Sequence, residues 1–301
     1  MQIWPCGLLG KGRLSGAVPW GTRDECEDET RNEMRDERPA KSARFRGGEA
    51  KPAPEPASLD ALPEPGRVRD MFDRIARSYD RLNDLMTAGL HHRWREIGVM
   101  LARVQEGGCA LDVCCGTGDF AFALRRAVGP TGRVVAVDVS EEMLRVAREK
   151  CGRNQLYVEF MKADVLALPF PDGSSPGPAR KPVGFDACTV GFGMRNVSDV
   201  ERAFAEMRRV CRPGGKVVCL EITQPRIPVF REFYRFWFDH AVPWLGRIAA
   251  RDEAAYRYLP ASVRRFPDPD ELKAIMERAG LKNVRYEILA GGIIAIHHGV
   301  V

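Results

Sequence analysis

The 301-residue chain lacks a run of roughly eighteen apolar residues, which excludes a helix built to cross a bilayer. It has no apolar segment of the secretory type near its start, and its first 66 residues are too acidic for an import peptide. No Cys-x-x-Cys pair occurs among its nine cysteines, and adjacent Cys114 and Cys115 are too close for an ordinary bridge. An odd, scattered set reads as free thiols in a reducing compartment, which places the protein in the cytoplasm. With only five histidines, no His/Cys/carboxylate cluster suggests a metal. The net charge of +5 is mild for this length, and no dense basic stretch argues for nucleic acid.

What is present divides into two parts. Residues 1–66 carry 16 Gly or Pro and the charge block "DECEDETRNEMRDERPAK", followed by the polyproline-like "KPAPEPASLDALPEPG". Such a segment cannot offset its own ordering entropy, so it is expected to be a disordered tail. Residues 67–301 are expected to form one domain, with 45% hydrophobic content in the whole chain to supply its core. Over residues 67–105, Met71, Ile75, Tyr79, Leu82 and Met86 recur at helical spacing and predict a cover of two or three helices. Strands then alternate with helices: "CALDV", "RVVAVDV", "LYVEFMKA", "FDACTVGF" and "KVVCLEIT" are strands. Between them "SEEMLRVAREKC" opens on Ser140 as N-cap, and "SDVERAFAEMRRVCRPGG" is a helix stopped by Pro213 and two glycines. This alternation predicts an α/β fold with a mostly parallel sheet. "NVRYEILAGGIIAIHHGVV" closes it as an antiparallel hairpin through Gly291–Gly292.

The chemistry centres on "CALDVCCGTGDFAFAL". Gly116 and Gly118 let the backbone approach a ligand, and Asp138, twenty residues beyond Gly118, stands where a carboxylate can accept both hydroxyls of a ribose. That arrangement serves NAD as well as S-adenosylmethionine. Three features favour S-adenosylmethionine. Asp112 and Asp119 flank the turn and suit a sulfonium and an ammonium group. Asp164 and the Val165 backbone N–H follow the third strand, where an adenine ring could be read. The closing hairpin is foreign to the doubly wound dinucleotide fold.

Six ordered stretches, "FDRIARSYDRLNDLMTAGLHHRWR", "LDVCCGTGDFAF", "LALPFPDG", "GFGMRNVSD", "RYLPASVRRFPDPDELKAIMERAG" and "AGGIIAIHHG", together resemble the quinone-biosynthesis C-methyltransferases of the UbiE/MenG family. The resemblance runs from about Val68 to Val301 and implies a class I, Rossmann-like methyltransferase with a seven-stranded sheet. It implies methyl transfer from S-adenosylmethionine to a ring carbon of a polyprenylated quinol. Demethylmenaquinol is preferred over a ubiquinone-type quinol, with another lipid or phenol as a further alternative. The matching cofactor positions are Thr117 in the glycine turn (with Gly116 and Gly118), Asp138, and the Asp164–Val165 pair. Gly191 stands where the family often carries a further contact, so only a backbone contact is expected there.

Arg195 and Asn196 of "GFGMRNV" are the catalytic candidates, Arg195 for a developing phenolate and Asn196 for a ring oxygen. Tyr79, Asp80 and Asn83 are expected over the cofactor, and His91 or His92 could serve as base. His297 and His298, in the last strand, read as structural. Residues 225–266 are read as a substrate-side insertion; within them "VFREFYRFWFDHAVPWLGRIA" mixes aromatics with arginines and fits peripheral contact at the inner face of the membrane. Residues 173–184, longer than the family usually needs, are expected to be a surface loop on the adenine side. "LEITQP" replaces a more usual Phe–Ser pair, a change expected to be neutral.

Overall fold

A computed structural model describes residues 65–154, 156–175, 183–225 and 253–301. The expected tail lies outside the described residues except for Pro65 and Gly66, as does most of the expected insertion, including the aromatic–arginine run at 229–249. Helix α1 (Pro65–Thr87) opens on a proline, which suits a first-turn position whose N–H has no helical partner. It and α2 (Leu90–Ala102) form the cover as two helices. Ala88 and Gly89, both at positive φ, turn the chain between them.

The alternation then runs β1 (Cys109–Val113), α3 (Asp119–Val128), β2 (Arg133–Asp138), α4 (Glu141–Arg153), β3 (Glu159–Lys162), β4 (Phe185–Gly191), α5 (Val200–Val210) and β5 (Cys211–Ile222). After the undescribed stretch come α6 (Glu253–Arg265), α7 (Pro269–Arg278), β6 (Lys282–Leu289) and β7 (Ile294–Val300). The strands make one seven-stranded sheet in the order β3-β2-β1-β4-β5-β7-β6. Neighbours from β3 to β5 pair in parallel, and β7 inserts antiparallel between β5 and β6. The strand order reverses between β1 and β4, and ligands of such sheets bind at the carboxyl ends beside that reversal.

Local chemistry explains most boundaries. Ser140 caps α4 by accepting from the Met143 N–H, and Asp268 with Glu271 makes a reciprocal capping box on α7. One boundary differs from expectation. Helix α5 ends at Val210, and Cys211 already pairs with Phe185 ahead of a bulge, so "CRPGG" belongs to the strand. Pro213 can sit there because an irregular stretch has no need of its missing N–H.

Both sheet faces are covered. Phe204 and Met207 of α5 pack with Leu272 and Met276 of α7 on one face, and Trp94, Phe120, Leu124 and Leu144 from α2, α3 and α4 on the other. Helix α1 stands apart from these cores. Its Met71, Ile75, Ala76 and Leu82 form a small separate cluster with Met143 and Val146 of α4. Polar ties reinforce this contact, with the Ser140 hydroxyl on Asp73 and Lys150 on Asp80.

Residues 176–182 of the loop expected near the adenine lie outside the described residues, and its two ends lie at the other edge of the sheet. Gly173 donates to the Arg209 carbonyl at 2.7 Å, and Gly184 donates to the Gly173 carbonyl at 3.2 Å. Both ends therefore meet where β4 and β5 begin, the sheet edge opposite the strand termini that carry the glycine turn. A chain leaving β3 must return to the other edge before β4 can run parallel to it, and Gly184 lies at the end of that return.

Candidate functional site

At the end of β1 the backbone turns sharply through Cys114 (φ 51°), Gly116 (φ 54°) and Gly118 (φ 89°). Gly118 is the N-cap of α3, and a Cβ on it would sit 3.1 Å from the Phe122 ring. A Cβ on Gly116 would meet nothing within 4 Å, so that residue faces open space. Asp138 holds the turn from the end of β2. Its Oδ2 accepts from the Gly116 N–H at 2.8 Å and its Oδ1 from the Ser140 N–H at 2.9 Å. Burial raises the pKa of this carboxyl, although the backbone donors work against the rise. Each oxygen keeps a lone pair beyond these bonds, and Asp138 lines a cleft of about 170 Å³ with Gly116, Thr117, Asp119, Asp164 and Val165.

Asp164 caps its own turn, accepting from the Leu166 N–H at 2.9 Å, and is exposed, whereas Val165 is buried. Gly191 reaches the same cleft from the end of β4. Its lack of a side chain has a local cause, because a Cβ there would lie 2.8 Å from the Phe120 ring. The same ring would sit 2.6 Å from a Cβ on Gly98 of α2. Phe120 thus occupies the space of two side chains, and Gly191 can offer only backbone.

Thr117 donates its hydroxyl to Asp80 of α1. Lys150 reaches Asp80 at 2.7 Å and Asp119 at 2.6 Å, tying α1, α3 and α4 at one end of the cleft. Burial opposes the charge on Asp119, but Arg95 and Lys150 outweigh it and hold its pKa below the usual range.

Asp112 departs from expectation. It is fully buried beneath the turn, does not line the cleft, and accepts from the Thr189 hydroxyl, at 2.7 Å, on Oδ1. A sulfonium therefore cannot meet it directly. Burial pushes its pKa up to about 7. A carboxyl whose folded pKa is raised binds its proton more tightly in the native state, so native stability falls as pH rises from about 4 to about 7. Asp112→Asn is expected to stabilise the protein increasingly across that window, by up to about 4 kcal/mol above it. Thermal unfolding of both proteins from about pH 5 to about pH 8 reads this; a constant difference would refute the assignment.

A second cavity, of about 400 Å³, adjoins the first and shares Phe72, Tyr79 and Phe192 with it. Ile75, Leu82, Trp94, Ile222 and Ile294 make its walls apolar. Arg195 supplies a charge there. Its Nη1 bonds Glu221 Oε2 at 2.9 Å and the Phe192 carbonyl, while its buried Nε has no partner among the described residues. Burial opposes the guanidinium's charge, but Glu221 reverses that and raises its pKa. Asn196 accepts from the Tyr258 hydroxyl at 3.0 Å and faces the first cleft, so the two catalytic candidates border different cavities. Glu221 escaped the sequence reading. A lone carboxylate inside the apolar run "KVVCLEIT" was its available signal, and the Phe–Ser replacement beside it drew attention instead.

His91, buried, and His92 follow the α1–α2 turn, and with Asp84 they bring three ligand atoms within 4.8 Å. The sequence showed no such cluster, because Asp84 joins it only through the turn. Neither a metal nor a base role fits His91. Arg95, which can only donate, donates to His91 Nδ1, so the ring proton sits on Nε2 and points at Asp84 Oδ1, 2.8 Å away. Both nitrogens are engaged, and burial keeps the ring's pKa low. His297 is also buried, with Nε2 on the Pro269 carbonyl at 2.8 Å, in keeping with a structural role.

A model of the ubiE/COQ5 methyltransferase family matches residues 62–301. The demethylmenaquinone methyltransferase of Staphylococcus carnosus is 41% identical over 236 residues, covering 78% of this chain and 93% of that protein. That of Staphylococcus aureus (strain JH9) is 42% identical over 233 residues, covering 77% and 92%. Among solved structures, the complex of the Haloferax volcanii Trm112 methyltransferase activator with a methyltransferase aligns with a TM-score of 0.53 at 18% identity, covering 76% of this chain and 96% of the matched one. The [4+2]-cyclase SpnF aligns with a TM-score of 0.51 at 18% identity, covering 79% and 96%. These two likenesses concern the fold alone.

Proposed function

Because the chain belongs to the ubiE/COQ5 methyltransferase family, we propose that it transfers a methyl group from S-adenosylmethionine to a ring carbon of a polyprenylated quinol, demethylmenaquinol in the first place. The observation that carries this reading is the pair of adjoining cavities: a polar cleft on the glycine turn, and an apolar chamber whose buried arginine keeps a donor unused.

The cleft fits the cofactor. Gly116 leaves room for close approach, Asp138 offers lone pairs to ribose hydroxyls, and Asp164 with Val165 frames the adenine end. S-adenosylmethionine bound there supplies an electrophilic methyl carbon on a sulfonium. The protein's part is to align the acceptor with it and exclude water. A quinol ring carbon becomes nucleophilic when a neighbouring hydroxyl releases its proton to solvent, which occurs near pH 10 unaided. Arg195 lowers that cost by donating Nε–H to the oxygen as charge develops, held in place by Glu221. The carbon–methyl bond would form as the sulfonium–methyl bond breaks, and the ring proton that the methyl replaces would return to the ring oxygen. The prenyl chain takes the apolar walls. Leu85 and Leu90 line the same chamber and are half exposed, which supports peripheral contact with a membrane where the substrate resides.

Purified protein with S-adenosylmethionine and a short-chain demethylmenaquinol kept reduced by dithionite is expected to yield a product one methyl heavier by mass spectrometry. The oxidised quinone should give none. Product from a demethyl ubiquinone-type quinol alone would move the acceptor to the other branch, and no product from either would overturn the reading.

A further inference from the structure

We propose that Arg95 anchors the carboxylate of the cofactor's amino-acid end, an inference that rests on the S-adenosylmethionine reading of the cleft. Arg95 lies on α2, lines the cleft beside Thr117 and Asp119, and is 5% exposed. Its guanidinium bonds two neutral acceptors, His91 Nδ1 and the His91 carbonyl at 3.1 Å, and lies 5.1 Å from the centre of the Phe192 ring. Among the described residues it forms no ion pair, and Nε and Nη2 make no hydrogen bond. An unpaired cation in such a place is costly unless an anion arrives.

S-adenosylmethionine carries one anionic group. The other cations near the cleft are already committed: Lys150 holds two carboxylates, and Arg69 is half exposed and paired with Asp70. Asp119 is close enough to sense the charge of Arg95, but it bonds Lys150 instead. Arg95 is also held in place. Asp84 accepts from the Nε2–H of His91, leaving Nδ1 as a bare acceptor that fixes the guanidinium. This gives Asp84 and His91 positioning roles, and it explains why a buried histidine beside the acceptor chamber carries no proton on its Nδ1.

Calorimetric binding of S-adenosylmethionine and of decarboxylated S-adenosylmethionine to the full chain tests this. The decarboxylated compound carries one more net positive charge, so the acids of the cleft should favour it unless a specific carboxylate contact exists. The wild type is expected to prefer S-adenosylmethionine by about 10- to 100-fold. Arg95→Met should lose that preference by weakening S-adenosylmethionine, with the decarboxylated compound bound at least as tightly as before. Arg95→Lys should keep part of it, since it retains a charge without the planar fork. Absence of preference in the wild type, or equal weakening of both ligands in Arg95→Met, would overturn the proposal. The first outcome needs no variant, so a folding defect cannot mask it. Failure of both compounds to bind the wild type would instead remove the cofactor reading itself.

Discussion

Glu221→Leu is expected to lower the thermal unfolding midpoint by about 10 °C. The carboxylate is 1% exposed and accepts from Arg195 twice, through the backbone N–H at 3.2 Å and through Nη1, and from the Ile222 N–H. Removing it strands a buried guanidinium, a change that typically costs about 3–5 kcal/mol. The double variant Arg195→Met, Glu221→Leu should recover most of that loss, since an apolar pair of similar volume is often as stable as the ions it replaces. Turnover should not return with stability if Arg195 donates to the quinol oxygen as proposed. Unfolding and methyl transfer measured on all three variants separate the two roles. A stable double variant that still methylates at the wild-type rate would remove Arg195 from the chemistry.

Asp138→Ala should be as consequential for binding. A ribose lost from this carboxylate forfeits two charge-assisted hydrogen bonds, so affinity for S-adenosylmethionine should fall by about 10²- to 10³-fold. With ligand at a hundred times the wild-type Kd, the wild type gains about 2.7 kcal/mol, a rise of roughly 5–10 °C in midpoint. The variant should show almost no rise at the same concentration. Its unliganded midpoint should also drop modestly, as the Gly116 and Ser140 N–H groups lose their acceptor. An unchanged ligand-induced shift would place the ribose elsewhere.

The sheet was legible because its signals are local. Apolar runs, the Ser140 cap and the glycine pair at 291–292 each act within a few residues, and each element fell near its expected place. The cleft proposed for the cofactor was legible for the same reason, as the glycine turn and Asp138, which both line it, are linked by one βαβ unit. Burial was harder to read. Asp112 and Asp119 look alike beside the turn, yet one lies under it and the other faces the cleft, a difference made by sheet pleat and helix phase. The rest depended on distant pairings. Lys150 meets Asp80 across 70 positions, Arg195 meets Glu221 across 26, and no spacing rule announces either. The apolar chamber arises where one face of α1 meets α2 and β7, so periodicity identified its residues as apolar without showing that they enclose a space.

The neck formed by Gly173 and Gly184 has a practical consequence. Its two ends are hydrogen-bonded to each other and pinned where β5 begins, so tight that a Cβ on Gly173 would lie 2.2 Å from the Cys211 carbonyl oxygen. Chain inserted between these glycines enters and leaves at one point, on the far edge from both cavities. Doubling the length of such an excursion adds only about 0.6 kcal/mol of closure entropy. This is therefore the place to graft a fluorescent reporter or an affinity handle, at the sheet edge away from the glycine turn and the apolar chamber.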